Sequence, residues 1–476
     1  MQPTKKIGFL LGPLLFFIIN FLPITLVSET GDAVIAVAVW MVIWWITETV
    51  NIAVTALLPL ILFPLLKVMP IADVGANYGS PIIFLFFGGF VLALALEKVN
   101  LHRRIALTIV KFTGTTPEKV VLGFMLATAF MSMWISNTAS TVVMLPIAIS
   151  VIKLLIDDKD GFTKGDKNFA LSIMLGIAFA ANAGGIATVI GTPPNSVLIG
   201  LLENQYDIQI SFLTWMSFGL PFSLIMIVAV YFVLVKWMFP CKGILFTSSA
   251  NLIHQELEKL GEISSEEKRV LTIFAITVFL WITRTLINSF FLGLKLSDTI
   301  ISLIGALALF AIPLNFKKGT FILEWKDTSK LAWGILLLFG GGLALAKGMA
   351  SSGLVDLITD TIAAGEFNIL LTVSLLIILM LFMTELMSNV ALVAVLAPVV
   401  AGIAIGLNIP ILNLLIPVTM ASSCAFMLPM ATPPNAIVFA SGYVKVNQMV
   451  KAGIILNCIA VILLILYYQF VIPLFF

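Results

Sequence analysis

Ser136-Asn137-Thr138 is a polar triplet inside an apolar stretch, and the chain repeats it once with one change, as Ser388-Asn389-Val390. At the same offset Ser132 falls on Thr384, Pro146 on Pro398, and Phe87-Gly88-Gly89 on Phe339-Gly340-Gly341. Separate landmarks that keep one register mean an internal duplication. A further pair follows downstream, Thr192-Pro193-Pro194-Asn195 and Thr432-Pro433-Pro434-Asn435. Another precedes it, Trp45-Ile46-Thr47-Glu48-Thr49 and Trp281-Ile282-Thr283-Arg284-Thr285, with the order conserved between halves.

The surroundings of these motifs decide the class. Of 476 residues 61% are hydrophobic and 11% charged, and the mean hydropathy is +1.14. So few charges cannot cover a water-soluble globule of this size. Apolar runs of about 20 residues recur, each long enough to cross the hydrocarbon layer as a helix. The chain reads as an all-α polytopic membrane protein embedded in lipid. A formal net charge of +2 gives no reason to invoke nucleic acid as a partner. The three cysteines make no disulfide framework and read as small buried hydrophobes. Both histidines, His102 and His254, lie in charged segments and read as solvated. The run Ile7 to Leu26 follows Lys5-Lys6 but no small-residue cleavage site follows it, so it reads as the first span.

Taken in order, residues 1–239 form a first repeat, 240–269 a charged cytoplasmic linker and 270–476 a second repeat. The apolar stretch Ala33 to Leu66 is too long for one crossing and is divided at Thr47-Glu48-Thr49-Val50-Asn51. Residues 120–156 are apolar at both ends and polar at Ser136 to Thr141. Basic residues flank both sides of this stretch, which favours a re-entrant hairpin from the cytoplasm over two full crossings. Residues 169–203 hold a helix broken at Gly191-Thr192-Pro193-Pro194-Asn195, because two prolines remove two amide donors. In the second half the hairpin is 367–407, entering from outside, and the broken helix is 411–443. With the amino terminus in the cytoplasm and the carboxyl terminus outside, all 26 lysines and arginines fall on the cytoplasmic face except Lys67, Lys295, Lys347 and Arg284. About eleven transmembrane helices in two inverted repeats, in a plasma membrane, follow from that reading.

Inverted repeats with hairpins and helices broken near mid-membrane are the build of a secondary transporter, not of an enzyme. No phosphate-binding loop, His/Cys ligand cluster or Ser-His-Asp arrangement is legible in the sequence. The paired Ser-Asn tips, the stretch Ser422-Ser423-Cys424-Ala425-Phe426-Met427-Leu428-Pro429-Met430-Ala431-Thr432-Pro433-Pro434-Asn435-Ala436-Ile437-Val438, and Trp45 to Pro64 make the resemblance specific. The chain resembles the divalent anion/sodium symporter family, transporters of dicarboxylates, citrate or sulfate.

The resemblance implies two sodium sites, one from Ser132, Ser136, Asn137 and Gly191 and the other from Thr384, Ser388, Asn389 and Ala431. Such oxygen ligands suit a hard cation. It implies a dicarboxylate site between the tips, lined by Asn137, Thr138, Thr192, Pro193, Asn389, Val390, Thr432 and Pro433. Val390 departs from the family's threonine. A homodimer and an elevator-type motion of the transport portion are further implications. Sodium symport of dicarboxylates is the leading expectation; sodium-independent exchange, citrate or sulfate transport, and an anion channel are the alternatives.

Overall fold

The helices begin where the sequence supplies a cap and stop where it supplies a break. The computed structural model describes residues 3–21, 27–114, 116–156, 163–241, 249–291, 293–315 and 319–476. Helix α1 (Pro3–Phe21) leads to α2 (Glu29–Thr47), whose cap Ser28 accepts the Gly31 N–H. Two short helices follow, α3 (Ile52–Thr55) and α4 (Leu58–Leu65), then α5 (Ile71–Tyr78), α6 (Pro81–Lys98) and α7 (Leu101–Thr113). Next come α8 (Pro117–Ser132), α9 (Asn137–Ile156), α10 (Lys164–Gly185), α11 (Pro193–Tyr206) and α12 (Phe212–Tyr231). Proline at the first position of α6, α8 and α11 costs no hydrogen bond, because first-turn amides lack a helical acceptor anyway.

After α13 (Ser249–Lys259) come α14 (Ser265–Phe290), α15 (Asp298–Ala311) and a small ribbon of β1 (Pro313–Asn315) and β2 (Thr320–Phe321). The chain then runs through α16 (Trp333–Ser351), α17 (Leu354–Ala363), α18 (Ile369–Thr384), α19 (Asn389–Gly406), α20 (Ile411–Ser422), α21 (Pro433–Ala440) and α22 (Val446–Leu466). The order from α16 to α22 matches that from α6 to α12. In each run a glycine-bearing helix and a short amphipathic helix precede two helices joined by a Ser-Asn turn, then a helix that breaks and one that starts at Pro-Pro.

Among the described residues nine helices are long and apolar enough to cross a membrane. Their burial differs: 94% of the apolar window of α10 is enclosed, against 22% for α14. Thus α10 is the axis of the molecule, and α14 presents Ile276, Phe279, Leu286 and Phe290 outward, as a lipid-facing helix does. One large apolar cluster runs through α6 to α12 and α18 to α22; a second joins α1, α2 and α4 to α16.

Several expectations change. The stretch after Asn51 is two short helices because Pro59, near the start of α4, has no N–H to give Thr55 O, while Pro64 lies within the last turn of α4. The repeated tryptophans act as ties: Trp45 Nε1 donates to Ile52 O at 3.1 Å and Trp281 Nε1 to Asp298 O at 3.0 Å. Cys241 and Cys424 are buried but Cys458 is exposed, on the outer side of α22. His254 is exposed whereas His102 is buried. His102 Nδ1 donates to Leu96 O at 2.9 Å, and burial pushes its pKa down against the help of that bond. The ring is neutral near pH 7, not solvated. Of the basic loops, residues 157–162, and 242–248 of the linker, lie outside the described residues.

Beside the linker, α7 is tied to the start of α14. Arg104 grips Glu267 with two nitrogens, Nε to Oε1 at 2.7 Å and Nη2 to Oε2 at 3.1 Å, and Nη1 donates to Gly261 O at 2.9 Å. Glu267 is buried and closes the capping box of α14 with Ser264. Arg104→Ala leaves that carboxylate without its cation. It should destabilise the purified protein by about 3 to 5 kcal/mol, read as a fall in the thermal midpoint, and adding Glu267→Gln should recover part of the loss.

Candidate functional site

Ser132 ends α8 and Asn137 starts α9, so the turn between them sets both side chains against α10. Ser132 Oγ lies 2.6 Å from Asn137 Oδ1 and 2.7 Å from the main-chain oxygen of Ala181. A hydroxyl has one proton, so it can donate to only one of them. The other contact brings two lone pairs face to face, an arrangement that a small hard cation relieves by accepting from all three oxygens. Further oxygens close in where α10 breaks. A Cβ at Gly185 would sit 2.6 Å from Asn137 Oδ1 and 3.1 Å from Gly191 O; one at Gly191 would sit 2.5 Å from Gly185 O and 3.0 Å from Ser132 O. Only glycine fits without displacing the Asn137 amide, at Gly185, or main chain, at Gly191.

The second half repeats the triad. Thr384 Oγ1, at the end of α18, lies 2.8 Å from Asn389 Oδ1 and 2.6 Å from the main-chain oxygen of Ser422. Ala431 is buried in the unwound segment between α20 and α21 and forms a turn through its N–H to Leu428 O. The structure therefore brings together Ser132, Asn137 and Gly191 in one group and Thr384 and Asn389 in the other. Ser136 and Ser388 differ from them and from each other. Ser136 is exposed and its Oγ caps α9 by accepting the Ala139 N–H at 3.2 Å; Ser388 is half-buried and does not cap α19.

The asparagine that ends each Thr-Pro-Pro-Asn motif holds its own loop. Asn195 Nδ2 donates to Thr188 O at 2.8 Å, within reach of Gly185 O and Ile186 O, and Asn435 Nδ2 lies 3.1 Å from Ala425 O and 3.0 Å from Leu428 O. These side chains satisfy carbonyls at the end of α10 and in the unwound segments, which have no helical donor. Asn182, on α10, reaches across to the other half: its Nδ2 lies 3.0 Å from Ala425 O, 3.1 Å from Thr432 Oγ1 and 3.2 Å from Asn435 Oδ1. In the second loop Glu385 binds the main-chain amides of Phe426, Met427 and Leu428.

The two halves interlock around the centre. Helix α11 packs against α19, and α21 against α9. Four helices, α9, α11, α19 and α21, start at the tips and breaks, at Asn137, Pro193, Asn389 and Pro433. All four starts carry a partial positive charge, but only α9 and α19 also offer first-turn amides, since α11 and α21 begin on Pro-Pro; this suits an anion beside the oxygen clusters. Of the residues expected to line it, Asn137, Thr138, Pro193 and Asn389 are half-buried, Thr192 and Thr432 buried, and Pro433 exposed. Thr432 Oγ1 caps α21 through the Asn435 N–H. Val390 is half-buried and packs against both apolar clusters.

All four arginines are engaged elsewhere. Arg103 bonds Glu256 at 2.5 Å, Arg104 bonds Glu267, and Arg269 donates to Pro313 O. Arg284 Nη1 lies 3.2 Å from Asp298 Oδ1, an ion-pair contact without hydrogen-bond alignment.

Sequence reasoning missed Gly185, Asn182, Glu385 and the main-chain oxygens of Ala181 and Ser422. Asn195 and Asn435 carried a signal in their duplicated motif. A main-chain oxygen carries none, since every residue has one.

Known proteins resemble this chain along its whole length. A family model described as the sodium:sulfate symporter transmembrane region matches residues 4–476. The sodium-dependent dicarboxylate transporter SdcS of Staphylococcus saprophyticus is 39% identical over 98% of this chain and 92% of its own length. SdcS of Staphylococcus aureus strain USA300 is also 39% identical, over 98% of this chain and 91% of its own. Among solved structures, the Alcanivorax borkumensis YdaH transporter aligns with a TM-score of 0.58 at 14% identity, covering 84% of this chain and 88% of its own. Neisseria gonorrhoeae MtrF aligns with a TM-score of 0.52 at 11% identity, covering 99% and 96%. At such low identity these two speak to the fold alone.

A methyl group at Gly185 should disable the first oxygen cluster without unfolding the chain. Overpacking against the Asn137 amide and the neighbouring main chain costs about 1 to 3 kcal/mol. Gly185→Ala is therefore expected to raise, by tenfold or so, the sodium concentration that half-maximally stabilises the purified protein to heat. Gly75→Ala, where a Cβ meets nothing within 4 Å, should leave it unchanged.

Proposed function

The chain belongs to the sodium:sulfate symporter family, and from that premise we propose that it is a sodium-coupled symporter of C4 and C5 dicarboxylates. The observation that carries the reading is the duplicated oxygen triad, Ser132–Asn137–Ala181 O and Thr384–Asn389–Ser422 O, each beside the start of a helix. The printed name of the 39%-identical relatives, sodium-dependent dicarboxylate transporter, supports it.

Charge explains why sodium belongs in the reaction. Moving a dianion out of water costs several kcal/mol per charge unless something compensates, on the order of the penalty for any buried ion. The arginines are occupied, and neither tip nor break contains lysine, arginine or histidine. Sodium bound in the two oxygen clusters supplies the countercharge, and the starts of α9 and α19 supply amides to the carboxylates. Asn137 and Asn389 serve both: the oxygen of each amide faces the cation cluster, and its nitrogen is left to face the substrate. Ser136, Gly191, Ser388 and Ala431 complete the cation sites, and Thr138, Thr192, Pro193, Val390, Thr432 and Pro433 line the substrate space. The halves 1–239 and 270–476 are inverted repeats in the plasma membrane, with the amino terminus in the cytoplasm and the carboxyl terminus outside. Substrate crosses by an elevator-type motion of the hairpins and broken helices against a scaffold that pairs as a homodimer.

The family description names sulfate, so sulfate is the second reading. Uptake of labelled succinate and of labelled sulfate into proteoliposomes, with and without a sodium gradient and with and without internal dicarboxylate, separates symport from exchange and one anion from the other. Sodium-driven accumulation of succinate is expected, and full-rate uptake driven only by internal dicarboxylate would overturn symport. Asn137→Ala and Asn389→Ala should each abolish the sodium-driven uptake while the protein stays folded, as judged by its elution as a single species.

Val390 makes the two sides of the substrate space unequal. A carboxylate there lacks a hydroxyl donor, and a charge-assisted hydrogen bond contributes about 1.5 to 3 kcal/mol. Val390→Thr should therefore improve competition by symmetric succinate more than competition by 2-oxoglutarate; an equal change for both would remove Val390 from selectivity.

A further inference from the structure

Glu385 is a buried carboxylate in the tip between α18 and α19, only 2% exposed. Its Oε1 accepts the N–H of Phe426 at 2.8 Å, the N–H of Met427 at 2.9 Å and the side-chain amide of Asn457 at 2.8 Å; its Oε2 accepts the N–H of Leu428 at 3.0 Å. Among the described residues the other buried acids are accounted for differently. Glu267 and Asp298 face arginines, and Asp166 closes the capping box of α10. Among the described residues no ion pair includes Glu385. A charge held only by amides is stabilised by hydrogen bonds but keeps its field, which a neighbouring cation feels strongly in a low-dielectric interior.

Its position decides which cation. Glu385 follows Thr384, the hydroxyl of the second oxygen triad, and the amides it grips belong to the segment that follows Ser422, whose main-chain oxygen is in that triad. The same segment lies against α22: a Cβ at Gly453 would be 2.3 Å from Phe426 O, and Asn457 is one turn further on. One carboxylate thus fixes the hairpin tip, the unwound segment and α22 relative to each other. Among its described residues the first half has no such group. At the corresponding offset stands Met133, and its unwound segment is tied by a neutral bond, Thr188 Oγ1 donating to Met133 O at 2.5 Å.

We propose that Glu385 is a positioning residue of the second cation site, holding the Phe426 to Leu428 segment so that Thr384, Asn389 and Ser422 O face one point, and giving that site a negative charge that the first lacks. The second site consequently fills at lower sodium concentration than the first. This inference rests on the sodium-symport reading above and goes beyond it in making the two sites unequal.

The test uses the purified full-length chain, with choline replacing sodium at constant ionic strength. Sodium-dependent thermal stabilisation and the sodium and succinate dependence of uptake are measured for wild type, Glu385→Gln, Glu385→Asp and Asn457→Leu. Residues that orient a metal's ligands typically contribute about 10- to 100-fold to metal affinity. Glu385→Gln should raise the half-saturating sodium concentration by that order, with the KM for succinate at saturating sodium close to wild type. Asn457→Leu, which removes one of four donors, should raise it less, and Glu385→Asp should lie between wild type and glutamine. A lower thermal midpoint at every sodium concentration with unchanged half-saturation would mean a merely structural role and overturn the proposal. If Glu385→Gln does not fold, unchanged half-saturation in Asn457→Leu and Glu385→Asp has the same force. Absence of sodium stabilisation and of sodium-driven uptake in the wild type would overturn the symport reading itself, and this proposal with it.

Discussion

Two buried segments are unwound, between α10 and α11 and between α20 and α21, and their carbonyls, left without helical donors, have no water to turn to. The centre of the molecule is a set of answers to that shortage. Asn195 and Asn435 fold back to donate to the stranded oxygens, and Asn182 donates from the opposite half. The remaining oxygens, together with a hydroxyl and an amide oxygen from each hairpin tip, face inward as a surplus of acceptors. A surplus of acceptors with too few protons suits a cation. In the proposed reading the break that would destabilise an ordinary helix is the source of the binding chemistry.

The duplication is closer in what it places than in how it is held. Both tips put a hydroxyl between an asparagine oxygen and a main-chain oxygen, at distances of 2.6 to 2.8 Å. Around that shared geometry the supports differ. Asn182 on α10 reaches into the second loop, and the second loop alone is gripped by a carboxylate. Val390 stands where the first tip has Thr138. Duplicated halves that meet at one centre need not share its load equally, and these differences are the residues by which the two could come to bind unequally.

Enclosure explains why so little charge serves the centre. Helix α10 is surrounded on every side, while the arginines sit where the chain meets water or at the end of a span, each held by a carboxylate or a carbonyl. A buried arginine would need its own partner and would then be neutralised toward substrate. In the symport reading mobile cations avoid that: they bring charge with the substrate and leave with it.

The sequence by itself determined the membrane class, the duplication, the two Ser-Asn tips, the two Pro-Pro breaks, and which asparagines and hydroxyls stand at them. Those features are written in side-chain identity, hydropathy and register, all of which are local and visible in one dimension. Tertiary structure decided the rest. It brought Ala181 O to Ser132 and Ser422 O to Thr384, it made Gly185 the floor of the first cluster, and it set Glu385 on three amides some forty positions away. It also buried His102 and exposed Cys458. Main-chain oxygens carry no sequence signature, and a single glutamate in an apolar run has no duplicate to draw attention to it. Which of them converge is fixed only when α10 and α20 pack against the hairpins, because convergence is a property of the packing and not of the chain.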